Sequence, residues 1–166
     1  MTQSPVPLSL DRFDRAILEI LQSDGRITNQ ELARRVNLSP SPCLRRVRAL
    51  EEAGIIVGYR ARVDERRLGY GLTALLHISM DEHTPERFAH FEERIAALPE
   101  VQEALLITGQ EADYQLRVVA ADMDDYQRLL LQHITRIKGV SGVHSSFMLR
   151  RVLADRILPP RRGGGD

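Results

Sequence analysis

Residues 28–54 read TNQELARRVNLSPSPCLRRVRALEEAG and contain the start and stop signals of two short helices. The first helix opens with a predicted capping box, in which the Thr28 hydroxyl and the Glu31 carboxylate each accept a hydrogen bond from an otherwise free backbone N–H group. The second helix begins with Ser39 as its N-cap and with Pro40 at the first helical position, where a backbone N–H is not needed. Two capped helices separated by a turn of about three or four residues predict a helix-turn-helix, whose second helix lies in the major groove of DNA.

The second helix of this motif has one apolar side and one cationic side. At about 100° per residue, Cys43, Leu44, Val47 and Leu50 fall on one side, which places the thiol in the core as a small hydrophobic group. Arginine suits the other side, because its planar guanidinium donates bidentately to phosphates and to guanine. The alternative is an ordinary solvated face, neutralised by the nearby Glu51 and Glu52. The residues predicted to contact DNA are Ser41, Arg45, Arg46 and Arg48 on this helix, and Arg34 and Arg35 at the end of the preceding one.

Charge is distributed unevenly along a chain whose formal net charge is zero. Residues 1–62 carry ten Arg against seven Asp and Glu, a balance of +3, whereas residues 63–154 carry ten basic and fourteen acidic residues, a balance of −4. A basic first part and an acidic second part indicate two domains with different partners. At 166 residues, 43% of them hydrophobic, the chain is long enough for two small domains with packed cores.

The sequence also predicts the compartment. No apolar run approaches the roughly 18 residues that a membrane span requires, and the first residues lack the apolar stretch of a signal peptide. Cys43 is the only cysteine, which excludes an intrachain disulfide and a cysteine-built zinc site. We therefore expect a cytoplasmic protein without a membrane partner.

The rest of the chain alternates between helical and strand periodicity. An apolar stripe between Leu10 and Leu21 predicts a helix that starts after Ser9 and stops at Gly25. The β-branched run 55–63 predicts a linker strand. Further strands are predicted at 72–80, 101–108, 114–120 and 143–152. Helices are predicted at 85–98 and from the Asp122 cap to residue 137. This order is βαββαβ, the ferredoxin-like plan.

The predicted fold class is therefore α+β with two domains. Residues 1–62 form a helix-turn-helix domain of the winged or plain three-helix type, including the linker strand, and residues 63–156 form the ferredoxin-like domain. Residues 157–166 are predicted to be a flexible tail, because LPPRRGGGD is rich in Pro and Gly.

The chain resembles the Lrp/AsnC family of leucine-responsive and asparagine-type "feast/famine" regulators. The resemblance spans nearly all of the sequence and is most specific in SPSPCLRRVRALEEAG, residues 39–54, followed by GQEADYQLRV, residues 109–118, and DMDDY, residues 122–126. It implies a sequence-specific regulator of transcription that binds double-stranded DNA. It also implies a homodimer, joined through the ferredoxin-like domains, that builds octamers in many family members.

The resemblance further implies an amino-acid effector, bound in a cleft between the C-terminal domains of neighbouring subunits. Family members use the loop between the second and third strands for this cleft, and here that loop is one residue longer than the usual pattern. A carboxylate beside backbone N–H groups is what an amino acid needs, although Asp113 is also suited to bonding its own loop. The matching effector positions are Thr108, Gly109, Gln110, Asp113 and Tyr114, with Ser146 on the last strand.

Catalysis is not expected, because the sequence contains no nucleophile signature, Walker loop or dinucleotide motif. Neither a cofactor nor a metal site is expected, because no two of the five histidines share a helical or hairpin ligand spacing. Two alternatives stay open. One is a metabolic enzyme or regulatory subunit whose ferredoxin-like half binds a small molecule; the weaker one is an RNA-binding protein, which the 5% aromatic content disfavours.

Overall fold

The computed structural model describes residues 10–109, 112–154 and 156–160. The chain divides into two compact units: the first comprises the chain up to Arg62 and again from Leu153, and the second comprises Val63–Val152. Each unit has its own cluster of buried apolar side chains. The chain therefore begins the first unit, leaves it to build the second, and then returns to the first.

The first unit is built from three helices, α1 (Arg12–Ser23), α2 (Asn29–Arg35) and α3 (Pro40–Glu52). Their apolar sides enclose a core in which Ile17, Cys43 and Leu50 are at most 1% exposed. The turn between α2 and α3 contains Asn37 with a φ of 56°, a left-handed conformation that Asn tolerates better than most residues. This arrangement confirms the predicted helix-turn-helix.

Side-chain caps define where two of these helices begin. At the start of α1, the Asp11 carboxylate accepts hydrogen bonds from two backbone N–H groups of the first turn, and the Asp14 carboxylate accepts one from the Asp11 N–H. This reciprocal capping box starts α1 slightly later than the sequence predicts. At α2 the predicted box is only half formed: the Thr28 hydroxyl accepts from the Glu31 N–H. The Glu31 carboxylate bonds to two guanidinium groups instead, because charge-assisted hydrogen bonds are stronger than those to a neutral N–H.

Residues 55–63, predicted to be a linker strand, form no strand within the described parts of this chain. A strand needs a neighbour to satisfy its backbone N–H and C=O groups, and no strand of the described first unit supplies one. The side chains of Val57 and Val63 are 93% and 63% exposed. The strand prediction is wrong for the single chain, because no strand among the described residues pairs with the segment.

The tail, predicted to be flexible from residue 157, is hydrogen-bonded at Leu158. The Gln22 side-chain amide donates to the Leu158 carbonyl at 3.1 Å and accepts from the Leu158 N–H at 2.7 Å. Composition alone predicted flexibility because it does not reveal a partner 136 residues away in sequence. The end of the predicted tail, residues 161–166, lies outside the described residues.

The second unit is a four-stranded antiparallel sheet with helices packed on one face. Alternate residues of its first strand, including Leu76 and Ile78, are fully buried, as is Phe91 of the first helix. These observations confirm the predicted βαββαβ fold. In chain order the elements are β1 (Leu72–Met80), α4 (Pro85–Ala96), β2 (Val101–Leu106), β3 (Tyr114–Ala120), α5 (Met123–Arg128) and β4 (Val140–Phe147), and the sheet order is β2-β3-β1-β4.

The other face of this sheet, called the open face below, carries the alternate set of side chains. On β1 these are Leu75, His77 and Ser79, each partly exposed. The register pairs them with Ser146, His144 and Gly142 of β4. Polar residues therefore dominate the open face along these two strands.

Strand β2 and helix α4 each end two residues earlier than predicted, and two further elements differ more from their predictions. Strand β4 ends at Phe147 instead of residue 152, because its last backbone bond, from Met148 N–H to the Thr73 carbonyl at 2.9 Å, reaches the beginning of β1. The last helix is α-helical only over α5 and continues as a π-helix, Leu129–His133, and a 3-10 turn. Bonds from residue i to i+5 bring positions five apart towards one face, and Leu129 and Ile134 are both buried.

Candidate nucleic-acid interface and effector site

Helix α3 has one buried and one solvent-facing side. Cys43 and Leu50 lie in the core of the first unit, which fixes the rotation of the helix about its axis. Leu44, predicted on the same side, is 38% exposed instead, because it lies at the edge of that side. Ser41, Arg45 and Arg48 are exposed, and none of their side chains makes a hydrogen bond or ion pair with another described residue. Two guanidinium groups are therefore available to an anionic partner on this side.

The start of α3 is also open to an anion. The Ser39 side chain makes no cap hydrogen bond, and the first turn contains no acidic residue. Backbone N–H groups at such a helix end attract phosphate. The Asn29 side chain donates to the Pro40 carbonyl at 2.8 Å and so fixes this end against α2. Sequence reasoning missed Asn29, because its partner lies across the turn.

Arg46, predicted to contact DNA, is held within the first unit. Its Nη1 lies 2.8 Å from a carboxylate oxygen of Asp11 and 2.8 Å from one of Asp14, and its guanidinium lies 5.3 Å from the centre of the Phe13 ring. A backbone hydrogen bond from Asp14 lowers the pKa of Asp11, and Arg46 lowers it further. Arg46 thus joins α3 to the start of α1, a contact between residues 32 apart that helical periodicity does not reveal.

Arg34 and Arg35, the other predicted DNA contacts, share the carboxylate of Glu31. Their closest nitrogen-to-oxygen distances to Glu31 are 2.7 and 2.9 Å. Hydrogen bonds from the two guanidinium groups lower the pKa of Glu31 to about 2. One negative charge against two positive charges leaves this exposed cluster with a net positive charge.

On the second unit, Asp113 fixes the loop between β2 and β3 to the end of β1. Its Oδ2 accepts from the Met80 N–H at 2.7 Å, and its own N–H donates to the Ile78 carbonyl at 2.8 Å. Its Oδ1 lies 2.7 Å from Nε2 of His83, the residue before the Thr84 cap of α4. Both carboxylate oxygens therefore have partners within the chain. Sequence reasoning did not find His83, because it lies 30 residues from Asp113.

Tyr114 is a core residue in this chain. It is 2% exposed, and its ring packs against Phe88 and Phe91, with ring centres 5.7 and 4.7 Å away. Its hydroxyl donates to Glu92 at 2.8 Å. Burial raises the pKa of Tyr114, and the hydrogen bond to Glu92 raises it further. The structure therefore gives this predicted effector residue a packing role.

The other predicted effector residues are only partly brought together. Thr108 and Gly109 are exposed and lie close in sequence to Asp113, whereas Gln110 lies outside the described residues. Ser146 pairs with Leu75, five residues before Met80 on β1, which corresponds to about 17 Å along the strand. Among the described residues of one chain, Ser146 and Asp113 do not form a common site.

A further cavity of the first unit lies away from α3. It is a groove of about 1110 Å³ lined by residues of α1, by residues 55–62 and by Leu158, Pro159 and Pro160. Over residues 10–109, 112–154 and 156–160, no three His, Cys, Asp or Glu side chains are grouped to hold a metal ion. No helix in those ranges has the length and apolar content to cross a bilayer.

Two family models match the chain, one over the three helices of the first unit and one over the second unit and the start of the segment that returns to the first. Residues 10–57 match the winged helix-turn-helix DNA-binding model, and residues 73–158 match the Lrp/AsnC ligand binding domain. The Bkd operon transcriptional regulator of Pseudomonas aeruginosa is 45% identical over 91% of this chain and 97% of its own length. The leucine-responsive regulatory protein of Rhizobium meliloti is 42% identical over 89% of this chain and 94% of its own length.

A solved structure agrees with these matches. The crystal structure of a transcriptional regulator from Neisseria meningitidis in complex with L-Met has a TM-score of 0.86 and 37% identity, covering 90% of this chain and 96% of that one. One conclusion follows from the helix-turn-helix with its exposed arginines, from the βαββαβ unit and from these matches. The chain is a transcriptional regulator of the Lrp/AsnC family, with a DNA-binding helix-turn-helix unit and a ligand-binding unit.

Proposed function

We propose that the chain reads duplex DNA with the exposed side of α3, where Arg45, Arg48 and Ser41 face the major groove. The exposure of the two unpaired guanidinium groups, opposite a helix side buried by Cys43 and Leu50, is the observation that carries the proposal. The open start of α3 supplies N–H groups for a backbone phosphate. Arg34 and Arg35 add positive charge, whereas Arg46 positions α3.

The experiment is fluorescence anisotropy with a duplex covering the region upstream of the protein's own gene and with pooled genomic DNA, over a range of salt concentrations. Each phosphate contact that is lost lowers the slope of log K against log salt by about 0.9. We expect Arg48→Glu to abolish tight binding and Arg94→Glu, an exposed arginine on α4, to bind like the parent chain. Undiminished binding by Arg48→Glu would show that α3 is not the reading helix.

We also propose that the effector is an amino acid, bound by the second unit near the loop that Asp113 fixes. The neighbour from Neisseria meningitidis was solved with L-Met, so L-methionine is the first candidate, followed by L-leucine. Because both Asp113 oxygens are already bonded, its principal role is to position the loop, while the exposed Thr108 and Gly109 contact the ligand. Calorimetry with each amino acid tests this, since an effector must bind and must also shift DNA affinity.

A second copy of the chain completes the proposed assembly. Segment 55–63, which belongs to no sheet of the described chain, and the open face are surfaces that a homodimer would cover, and octamers would then form from dimers. The proposed function includes no catalytic step and no cofactor. Because its target is DNA, we propose that the protein acts in the cytoplasm. Light scattering coupled to size-exclusion chromatography measures the number of chains in the assembly. A monomer at micromolar concentration would contradict an effector cleft formed between two subunits. Turnover of the bound amino acid would instead favour the enzyme alternative.

A further inference from the structure

Four hydrogen bonds join Asp113 to its surroundings and so hold the loop between β2 and β3, called the effector loop below. The backbone C=O of Asp113 accepts from the Ile107 N–H at 2.8 Å, which brings the two ends of the loop together. Its N–H donates to the Ile78 carbonyl and its Oδ2 accepts from the Met80 N–H, which fixes the loop to the end of β1. The fourth bond, between Oδ1 and Nε2 of His83 at 2.7 Å, is made with a side chain. A substitution at residue 83 therefore removes one bond of Asp113 and leaves the three bonds to backbone groups available.

The imidazole of His83 is held in place by its own surroundings. His83 lies on the short connection between β1 and α4. This connection is fixed at its beginning by the Asp81 N–H, which donates to the Gly139 carbonyl at 2.8 Å, and at its end by the Thr84 cap of α4. The imidazole also lies beside the ring of Phe88, with ring centres 6.0 Å apart. The fixed connection and the neighbouring ring together limit the positions that the imidazole can take.

The bond between the two side chains has a defined direction. An ionised carboxylate only accepts hydrogen bonds, so Nε2 of His83 carries the hydrogen and donates it to Asp113. Because Oδ2 accepts from a backbone N–H, the carboxylate cannot rotate without breaking one of its two bonds. Loss of the imidazole would free Oδ1 and allow that rotation.

Little of the core depends on His83. Its side chain is 66% exposed, whereas that of Asp113 is 22% exposed. A side chain with this exposure buries little apolar surface, so its removal costs the second unit little hydrophobic stabilisation. The effect of a substitution is therefore concentrated at the carboxylate of Asp113 and at the effector loop, where Thr108 and Gly109 are exposed.

We propose that His83 is a positioning residue of the effector site, whose hydrogen bond to Asp113 holds the effector loop in the conformation that binds an amino acid. This inference rests on the proposed effector function and deepens it, because it assigns a role to a residue outside the loop. In the opposite arrangement, Oδ1 of Asp113 would bind the ammonium group of the effector, and His83 would compete for that oxygen. The two arrangements predict opposite effects of removing His83.

The test is calorimetric titration of the full chain with L-methionine and with L-leucine, in which His83→Ala and His83→Gln are compared with the parent chain. We expect His83→Ala to bind about three- to tenfold more weakly, the effect of losing one solvent-exposed hydrogen bond to a charged group. The glutamine side chain also ends in an N–H donor, so His83→Gln should restore most of the affinity. The control, His90→Ala, removes an exposed histidine of α4 and should bind like the parent chain.

Amide hydrogen exchange of the ligand-free chain, followed by nuclear magnetic resonance, tests the same bond without an effector. The N–H groups of Met80 and Ile107 are both bonded to Asp113. Both should therefore exchange faster in His83→Ala than in the parent chain, and at nearly the parent rate in His83→Gln. Circular dichroism verifies that the variants keep the fold.

The outcomes separate this inference from the effector proposal. If the parent chain binds no amino acid, the effector proposal is wrong, whereas faster exchange in His83→Ala would still support the role of His83 in holding the loop. If the parent chain binds and His83→Ala binds equally well or more tightly, the positioning role is wrong. Unchanged exchange in His83→Ala, or binding by His83→Gln as weak as that of His83→Ala, would also overturn it.

Discussion

Replacing Arg46 by Gln separates its structural role from DNA recognition. The side chain of Arg46 is 32% exposed and that of Asp14 is 13% exposed, so solvent screens their 2.8 Å contact only in part. Charge-assisted hydrogen bonds of this kind contribute about 1.5–3 kcal/mol when protected and less at the surface, and we expect Arg46→Gln to lower the free energy of unfolding by about 1–2 kcal/mol. For a domain of this size, each kcal/mol corresponds to about 4–8 °C in Tm.

The assay combines hydrogen exchange of α1 peptides with anisotropy over a range of salt concentrations. Arg46→Gln should speed exchange at the start of α1 and leave the salt slope of DNA binding unchanged. The control, Arg45→Gln, should show the opposite pattern, because Arg45 has no partner among the described residues. If Arg46→Gln leaves α1 exchange unchanged and lowers the salt slope as Arg45→Gln does, the internal role assigned to Arg46 is wrong.

Three further outcomes are expected. Gly139→Ala should destabilise the second unit by about 1–3 kcal/mol in urea unfolding, because φ is 107° there and a Cβ would lie 2.4 Å from Cδ of Arg87. Nuclear magnetic resonance titration should give Glu31 a pKa of about 2. Because this pKa lies below the ordinary value of 4.5, the ion pairs of Glu31 with Arg34 and Arg35 stabilise the fold above about pH 4.5, and this stabilisation is lost as the pH falls towards 2. A measured pKa near 4.5 would contradict these ion pairs. Gln22→Ala should make the chain near Leu158 more sensitive to protease, and equal cleavage rates would disprove the docking.

The helix-turn-helix was predictable because its signals are local. Ser39 and Pro40 mark the start of a helix within two residues, and the period of Cys43, Val47 and Leu50 gives its buried side. Likewise, the alternation of β1 identifies its buried face without knowledge of any partner strand. Such features depend only on residues that are close together in the sequence.

Contacts between distant residues were not predictable in the same way. The position of Arg46 in the helical repeat is the same whether its side chain contacts DNA or Asp14. The sequence likewise does not show that the Asp113 carboxylate is bonded to His83, which lies 30 residues away. The segment 55–63 has strand composition, yet a strand exists only where backbone groups are paired. Tyr114 matched a family motif, but its position in an alternating strand next to buried Leu116 explains its place in the core.

The bond between Gln22 and Leu158 gives the DNA-reading unit an unusual order of assembly. Translation delivers α1, α2 and α3 first, but the residue that completes the unit emerges only after the entire ligand-binding unit has been synthesised. In topological terms, the ligand-binding unit is an insertion into the other unit, because the chain leaves the first unit after Arg62 and returns to it at Leu153.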